Sequence, residues 1–271
     1  MNYDNILYEI HDHVGIITLN RPEALNSLTL ALMEDVRDAI GRAAADSGVR
    51  VLVMTGAGKG FCSGADLAEP GAGSGDDRYA GLSIGERVSS MMKSHFNPLI
   101  MDIFRLKKPV IAAVNGIAAG GGVGLALSTD IVVAARSAAF SLVFGPKLGI
   151  VPDMGATWHL PRLIGRSRSL GLAFSGDRLP AETAAQWGMI CRCVEDDRLM
   201  EEVLTSARRL AQGPTKAYGY IKRAFEESGR NRLDEQLEFE RYCQLILCDS
   251  DDFMEGVAAF LEKRKPDFKG Q

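Results

Sequence analysis

Four short runs of β-branched and small apolar residues constrain the fold most, because each is too short for a buried helix and ends at turn residues. They occupy residues 14–19, 50–55, 110–114 and 131–134. The last two runs are apolar throughout, which is typical of strands buried on both faces. Residues 28–45, between the first two runs, place Leu28, Leu32, Val36 and Ile40 at helical spacing. Strands followed by helical stretches predict an α/β fold.

The pattern changes near residue 195, where strand-like runs stop. Four stretches with helical periodicity and mixed charges follow, at residues 195–212, 214–228, 233–248 and 253–263. We therefore expect an α/β core over residues 1–195 and a helical C-terminal region over residues 196–271. Residues 69–85 hold five glycines among small and charged residues, which predicts a surface loop leading into a helix near residues 87–106.

Composition excludes several classes of protein. The 271 residues are 46% hydrophobic and 24% charged, with 31 Lys and Arg against 35 Asp and Glu, for a net charge of −4. This mildly acidic balance argues against a nucleic-acid partner, and no apolar run approaches the roughly 20 residues of a membrane helix. The N-terminus does not resemble a signal peptide. The five cysteines are odd in number and never spaced C-x-x-C. We therefore expect a cytoplasmic protein with reduced thiols.

Common nucleotide, nucleophile and metal motifs are incomplete. The glycines at residues 56–60 lack the spacing and the Ser or Thr of a phosphate loop, and residues 120–124 do not form the dinucleotide fingerprint. Ser63 lacks the flanking glycines of a nucleophile elbow. His11 and His13 could face one side of a strand, but no third metal ligand is evident. No metal site is predicted.

Two glycine-bearing turns carry more information. Residues 61–67 follow the strand at 50–55, and residues 115–122 follow the strand at 110–114 and open a helix at 123–129. Turns of small residues at strand ends leave backbone N–H groups free for a ligand. Two such groups aimed at one point form an oxyanion hole, which stabilises negative charge on a carbonyl oxygen. The alternative is that these glycines serve only tight helix–strand packing.

Four segments together carry a resemblance to a known family: RPEALN at 21–26, FCSGADL at 61–67, KKPVIAAVNGIAAGGG at 107–122 and FLEKRKPDF at 260–268. In this order, over nearly the whole chain, they resemble the enoyl-CoA hydratase/isomerase (crotonase) superfamily. The resemblance implies a spiral of β-β-α units, a C-terminal trimerisation region and an acyl-CoA thioester substrate. A homotrimer or a dimer of trimers follows from it, and no cofactor is expected beyond the coenzyme A of the substrate.

The resemblance also implies site residues, position by position. The two oxyanion donors fall on the backbone N–H groups of Ala65 and Gly121. Phe260 and Lys263 fall near the nucleotide end of the ligand. The residues that would contact coenzyme A and its thioester are Glu23, Ala24, Leu25, Ser63, Gly64, Asp66, Leu67, Gly120, Phe260 and Lys263.

The sequence departs from the family where a hydratase carries two glutamates. The first belongs three residues after the middle glycine of GGG, and that position is Gly124. The second belongs in residues 140–149, which contain no acid. A carboxylate pair positions and deprotonates water, one member acting as base and the other as acid. The sequence therefore disfavours an ordinary hydratase.

One acid remains in this region, Asp153, in the apolar turn GIVPDMG at 149–155. The turn resembles the isomerase branch of the superfamily, including the ring-epoxide isomerase of phenylacetate catabolism, and the match extends through residues 158–163 and 185–188. A single carboxylate can move one proton between two carbons. We expect Val151, Met154 and Trp158 to raise its pKa by desolvation. The alternative is that Asp153 is the N-cap of the next helix.

The sequence thus predicts an acyl-CoA isomerase with Asp153 as the proton shuttle. Three alternatives remain: a divergent hydratase or hydrolase in which Asp153 activates water, a non-catalytic acyl-CoA-binding subunit, and an aryl-CoA dehalogenase with Asp153 as nucleophile. The dehalogenase branch carries a His where this chain has Asn97, with His95 two residues away. RNA binding through a lysine-rich helix, which some relatives show, is disfavoured because no such run is present.

Overall fold

The strands lie in two sheets in the computed structural model, which describes residues 3–67 and 81–271. The larger sheet has the order β1-β2-β3-β5-β7-β10, antiparallel between β1 and β2 and parallel elsewhere. The smaller has the order β4-β6-β8-β9, antiparallel only between β8 and β9. The strands are β1 (Ile6–His11), β2 (Val14–Leu19), β3 (Val51–Gly56), β4 (Gly60–Cys62), β5 (Val110–Val114), β6 (Ile117–Ala119), β7 (Ile131–Ala135), β8 (Ala139–Ser141), β9 (Arg178–Pro180) and β10 (Arg192–Val194).

Helices cover the sheets and form the C-terminal region. Two π-helical turns, Met92–Phe96 and Phe144–Leu148, lie between the regular elements. The α-helices of the described chain are α1 (Leu30–Ala45), α2 (Ile84–Met91), α3 (Asn97–Arg105), α4 (Gly121–Leu127), α5 (Ala156–Ser175), α6 (Ala181–Gln186), α7 (Leu199–Ala211), α8 (Thr215–Ser228), α9 (Leu233–Leu247) and α10 (Asp251–Glu262).

The α/β prediction is confirmed, and so is the repeated unit implied by the resemblance. A strand of the large sheet, a short strand of the small sheet and a helix follow one another three times: β3-β4-α2, β5-β6-α4 and β7-β8-α5. The strands expected at residues 14–19 and 110–114 have those bounds, and the other two differ by one residue. The expectation that each strand leads into a helix is wrong, because the three-residue strands of the small sheet intervene.

Hydrophobic burial explains why α1 forms on the sheet. Its apolar residues Leu32, Met33, Val36 and Ile40 are buried, and the side chain of Thr29 caps its first turn by accepting a hydrogen bond from the Leu32 amide. The helix expected at residues 87–106 begins earlier, at α2, and is interrupted by the π-helical turn before α3. Most of the loop expected at 69–85 lies outside the described residues.

The C-terminal region is helical, as expected, but α7 packs on β3, β5 and β7 of the large sheet. Arg50 joins the later helices to the core by donating to the carbonyls of Gly213, at 2.6 Å, and Phe268, at 3.1 Å. None of the helices in the described ranges is long and apolar enough to cross a bilayer. The division at residues 195 and 196 stays a prediction, as does the trimerisation role.

An ion pair fastens α8 to the core. Nζ of Lys222 lies 3.0 Å from Oδ1 of Asp130, and it also donates to the carbonyl of Ile103 at 3.0 Å. The two side chains are 12% and 26% exposed. Burial raises the pKa of Asp130, and Lys222 and the amide of Val110 oppose that rise. The pair therefore holds α8 against the loop that precedes β7.

Replacing Lys222 with Met is expected to lower the free energy of unfolding by about 2 kcal/mol. The half-buried carboxylate of Asp130 would lose its cation, although solvent access keeps the loss below the roughly 3–5 kcal/mol of a fully buried pair. Urea denaturation measures the change. Arg198→Met, which breaks an exposed pair with Glu201, is the control and should stay within about 0.5 kcal/mol. Equal effects of the two variants would contradict the role of Lys222.

Candidate active site

The two glycine-bearing turns emerge side by side from the small sheet. β4 and β6 are parallel neighbours, with Gly60 opposite Ile117 and Cys62 opposite Ala118. Residues 63–67 follow β4, and Gly120 and helix α4 follow β6. Because the carboxyl ends of parallel strands share one edge of a sheet, the turns meet there. The sequence pattern predicts the turns directly after β3 and β5, but in the structure a short strand, β4 or β6, precedes each of them.

The backbones of the two turns touch at their glycines. Gly64 has a φ of +95°, and a β-carbon there would lie 2.9 Å from the carbonyl oxygen of Ala119 and 3.1 Å from the amide nitrogen of Gly121. A β-carbon on Gly122 would overlap the carbonyl of Cys62. Tight packing, one of the two interpretations, is therefore a real function of these glycines.

Two main-chain amides at this contact have no acceptor among the described residues. The Gly64 carbonyl accepts from the Leu28 amide at 2.8 Å, and the Asp66 amide donates to the Leu28 carbonyl at 3.0 Å, which leaves the Ala65 N–H between them unused. Gly121 is the first residue of α4, where a helix has no intrahelical acceptor for its N–H. Both predicted donors are thus free to bind a ligand oxygen.

Asp153 lies beside Gly121. A β-carbon on Gly121 would lie 3.7 Å from Oδ1 of Asp153, and that oxygen is buried without a hydrogen-bond partner in the described structure. The interpretation of Asp153 as a helix cap is wrong. Gly155 occupies the N-cap of α5, and no side chain caps that helix. The carboxyl group is therefore available for a ligand.

Burial raises the pKa of the Asp153 carboxyl to about 6, and a hydrogen bond from its own backbone N–H opposes the rise. The expected direction is confirmed. Of the apolar neighbours expected to cause it, Val151 is 77% exposed and is too open to solvent to contribute much, whereas Met154 is only 2% exposed. The contribution of Trp158, whose ring packs edge-on against Phe104 at 5.6 Å and under Arg162, stays a prediction.

Met154 also occupies the place where a hydratase would carry its first glutamate. A β-carbon on Gly124 would overlap the Met154 carbonyl and lie 2.5 Å from the Met154 Cβ. The segment in which the family carries its second glutamate has Phe144 or Gly145 at that place, and the buried Phe144 ring lies near α4, since its Cζ would be 3.8 Å from a β-carbon on Gly120. Asp153 therefore lies beside the Gly121 amide, whereas Asp66, next to Ala65 in the chain, is paired with Arg21 and Ser27.

Two of the segments predicted around coenzyme A, residues 23–25 and 63–67, are joined by hydrogen bonds beside the Ala65 amide. The Ser63 amide donates to the Leu25 carbonyl at 3.0 Å, and the Ser63 hydroxyl donates to the Ala24 carbonyl at 3.2 Å. These bonds join residues 23–25 to residues 63–67. Glu23 and Leu67 are exposed next to them. Contact of these residues with coenzyme A stays a prediction.

A largely buried polar network, in which only Asp66 was predicted from the sequence as a site residue, stabilises these two segments. Asp66 accepts from Arg21, at 3.0 Å, and from the hydroxyl of Ser27, at 2.9 Å. Asn26, fully buried, accepts from the Arg21 amide and donates to the Gly60 carbonyl at 2.8 Å. Asp66, predicted to contact substrate, thus also positions the turn that carries Ala65. The RPEALN segment was the available signal for Arg21 and Asn26.

Phe260 and Lys263 lie at the end of α10, where Lys263 is the C-cap. Phe260 is 83% exposed on α10 and lines a cavity of about 420 Å³ that also contacts Phe268 at the C-terminus. A second cavity of about 660 Å³ lies between α5, α8 and the start of β7. Ala65, Gly121 and Asp153 line neither cavity. The role of Phe260 and Lys263 at the nucleotide end stays a prediction.

His95 and His13, two of the histidines considered as ligands or catalytic partners, make hydrogen bonds away from Asp153. Nε2 of His95 lies 3.1 Å from Glu34 of α1, and its Nδ1 lies 2.7 Å from the Ser94 hydroxyl. His13 lies in the β1–β2 turn, where Nδ1 is 2.8 Å from the Gly48 carbonyl. This placement of His95 further disfavours the dehalogenase alternative.

Two main-chain amides without acceptors and one half-buried carboxyl lie at this end of the small sheet, and these are the groups that an oxyanion hole beside a general base would need. A family model described as enoyl-CoA hydratase/isomerase matches residues 9–271. The chain belongs to the enoyl-CoA hydratase/isomerase family, the crotonase superfamily.

Individual relatives cover nearly the whole chain. The chain is 44% identical over 266 residues to 1,2-epoxyphenylacetyl-CoA isomerase of Escherichia coli, covering 98% of each chain. It is 41% identical to a protein of Rhodobacter capsulatus described as a probable enoyl-CoA hydratase, covering 100% of each. The crystal structure of an enoyl-CoA hydratase from Bacillus anthracis matches with a TM-score of 0.89 and 35% identity, over 99% of this chain and 100% of that one.

Proposed function

We propose that this protein is an acyl-CoA isomerase that moves a double bond or a proton in a coenzyme A thioester. The observation that carries the proposal is Asp153, a single carboxyl beside Gly121, with the space above Gly124 filled by Met154. A lone acid can remove and return one proton, whereas hydration by the family's route uses two acids. The similarity at 44% identity to an enzyme named 1,2-epoxyphenylacetyl-CoA isomerase supports an isomerase that acts on a coenzyme A thioester.

For a 3-enoyl-CoA the steps balance with one base. The carboxylate of Asp153 removes a proton from C2, and the electron pair of that C–H bond moves into the thioester to form a dienolate. The amides of Ala65 and Gly121 stabilise the negative oxygen. Protonated Asp153 then gives its proton to C4, which leaves the double bond between C2 and C3 and regenerates the carboxylate. No water is consumed.

A pKa of about 6 allows Asp153 both to remove the proton from C2 and to return it to C4. A carboxyl with an ordinary pKa near 3.9 is too weak a base for a carbon acid at neutral pH. Burial makes Asp153 a stronger base, because ionisation of a desolvated carboxyl is unfavourable. The group is nevertheless ionised at pH 7, so the resting enzyme is ready to accept a proton.

Supplying straight-chain and aryl 3-enoyl-CoA thioesters in D₂O tests the proposal. We expect 2-enoyl-CoA, detected by its conjugated thioester absorbance, with deuterium at C4 wherever the Asp153 proton has exchanged. A divergent hydratase would leave 3-enoyl-CoA unconverted and, in a parallel reaction with 2-enoyl-CoA, would form 3-hydroxyacyl-CoA, whereas a hydrolase would release free acid. A non-catalytic subunit would bind the thioester and incorporate no deuterium. Either result would contradict an isomerase.

The pH dependence of kcat/KM is expected to follow ionisation of Asp153. Because the carboxylate is the active form, kcat/KM should rise with pH up to about 6 and level off above it. The decrease between pH 7 and pH 5 should be about tenfold. Initial rates on a 3-enoyl-CoA across this range measure it, with circular dichroism at each pH to confirm folding. A flat profile down to pH 5 would contradict a raised pKa in the active enzyme.

We also propose that the active form is a homotrimer or a dimer of trimers in the cytoplasm. Large apolar side chains are exposed on α8, α9 and α10, including Phe225 at 78%, Leu233 at 76% and Phe260 at 83%. Faces of this kind commonly mark protein interfaces. All five cysteines are free thiols, which suits a reducing compartment. Light scattering on the purified protein tests the oligomeric state.

A further inference from the structure

Met154 has an unusual backbone conformation for its side chain. Its φ is +51°, and the next residue, Gly155, has a φ of +79°. The left-handed region costs a residue with a β-carbon roughly 1–2 kcal/mol, so the surrounding structure must stabilise it. These two left-handed residues turn the chain between Asp153 and the first residue of α5.

This left-handed conformation packs Met154 against the first turn of helix α4. A β-carbon on Gly121 would lie 3.1 Å from Cγ of Met154, and one on Gly124 would overlap its carbonyl group. Met154 therefore covers the face of α4 that runs from the amide donor to the position of the missing glutamate. At 2% exposure, the side chain is also closed off from solvent.

We propose that Met154 determines reaction specificity by excluding a hydrating water from the face of α4 beside Asp153. This inference rests on the proposed isomerase function. Hydration adds a hydroxyl group at C3 and a proton at C2 of a 2-enoyl-CoA, so it needs a water molecule within reach of both a base and C3. Isomerisation breaks one C–H bond and forms another, and it needs no water.

Met154 acts through space filling and through the backbone turn, so it is a positioning and specificity residue rather than a catalytic one. The carbonyl of Met154, not only its side chain, occupies the space above Gly124. Introducing the missing glutamate at Gly124 alone would therefore displace the whole 153–155 turn. Shortening the side chain of residue 154 opens space beside α4 and leaves Asp153 unchanged.

The test compares Met154→Ala, Met154→Gly and Met154→Leu with Met33→Ala as a matched control. Met33 is fully buried in α1. Each protein receives 3-enoyl-CoA and 2-enoyl-CoA in H₂¹⁸O, and mass spectrometry gives the ratio of ¹⁸O-labelled 3-hydroxyacyl-CoA to isomerised product. This ratio does not depend on how much of the protein is folded. Glycine adopts the left-handed conformation without strain. Met154→Gly should therefore fold even if Met154→Ala does not.

We expect the Ala and Gly variants to raise the labelled ratio by about tenfold or more over wild type, a change typical of altering one side chain in a substrate pocket. Met154→Leu, which restores bulk, and Met33→Ala should match wild type. An unchanged ratio in both shortened variants, with wild type still isomerising, would overturn the role of Met154 alone. Wild type that makes labelled 3-hydroxyacyl-CoA as its main product, or no isomer at all, would overturn both proposals.

Discussion

Replacing Asp153 with Asn is expected to lower kcat for isomerisation by about 10²–10⁴-fold, the usual contribution of a general acid–base group. Asn keeps the size of the side chain but cannot accept the proton from C2. The affinity for acyl-CoA should change little, because the free amides of Ala65 and Gly121 remain. Steady-state kinetics and calorimetric titration with a saturated acyl-CoA measure the two quantities separately.

The stability of the Asp153→Asn variant shows whether a loss of turnover has another cause, namely unfolding. An acid whose pKa is raised in the folded state stabilises the fold fully below its unfolded pKa and loses that stability as the pH rises through the folded value. For Asp153 the loss falls between about pH 4 and pH 6 and amounts to at most about 3 kcal/mol, reduced by the solvent that reaches it. Asp153→Asn should therefore gain stability relative to wild type above pH 6. Full turnover in a folded Asn variant would end the role assigned to Asp153.

Replacing Gly64 with Ala is expected to lower kcat/KM by about 10²–10³-fold, the cost of losing an oxyanion donor. The added methyl group would lie 2.9 Å from the Ala119 carbonyl and 3.1 Å from the Gly121 nitrogen, and these are backbone atoms that cannot rotate away. The two turns must then separate, and the amides of Ala65 and Gly121 can no longer reach one oxygen. Both kcat/KM and the affinity for acyl-CoA should therefore decrease.

Gly188→Ala separates this effect from backbone strain alone. Gly188 has a φ of +78°, close to that of Gly64, but a β-carbon there meets only the Leu163 carbonyl at 3.9 Å. The Gly188→Ala variant should have a free energy of unfolding about 1 kcal/mol lower than wild type and an unchanged turnover rate. If Gly64→Ala retained turnover as Gly188→Ala does, the contact between the turns would have no part in catalysis.

Local sequence signals were sufficient for the main strands and for the two turns. Residues 14–19 and 110–114 are rich in β-branched and small apolar residues, and the structure keeps those bounds. Asp153 could be singled out because it is the one acid in an apolar turn. Its raised pKa follows from the same burial.

Features that depend on tertiary contacts could not be predicted. The three-residue strand β4 and its neighbour β6 are too short for any periodicity, although they bring the turns together. The exposure of Val151 and the burial of Met154 depend on the left-handed turn at 154–155, which no local propensity specifies for Met. The position of Phe260 relative to the site likewise depends on how α10 packs.

The most direct test of the account is a crystal structure with a bound acyl-CoA. We predict the thioester oxygen at about 3 Å from the amide nitrogens of both Ala65 and Gly121, with a carboxyl oxygen of Asp153 within about 3.5 Å of C2. A thioester oxygen that contacts neither amide, or a C2 atom that lies out of reach of Asp153, would contradict it.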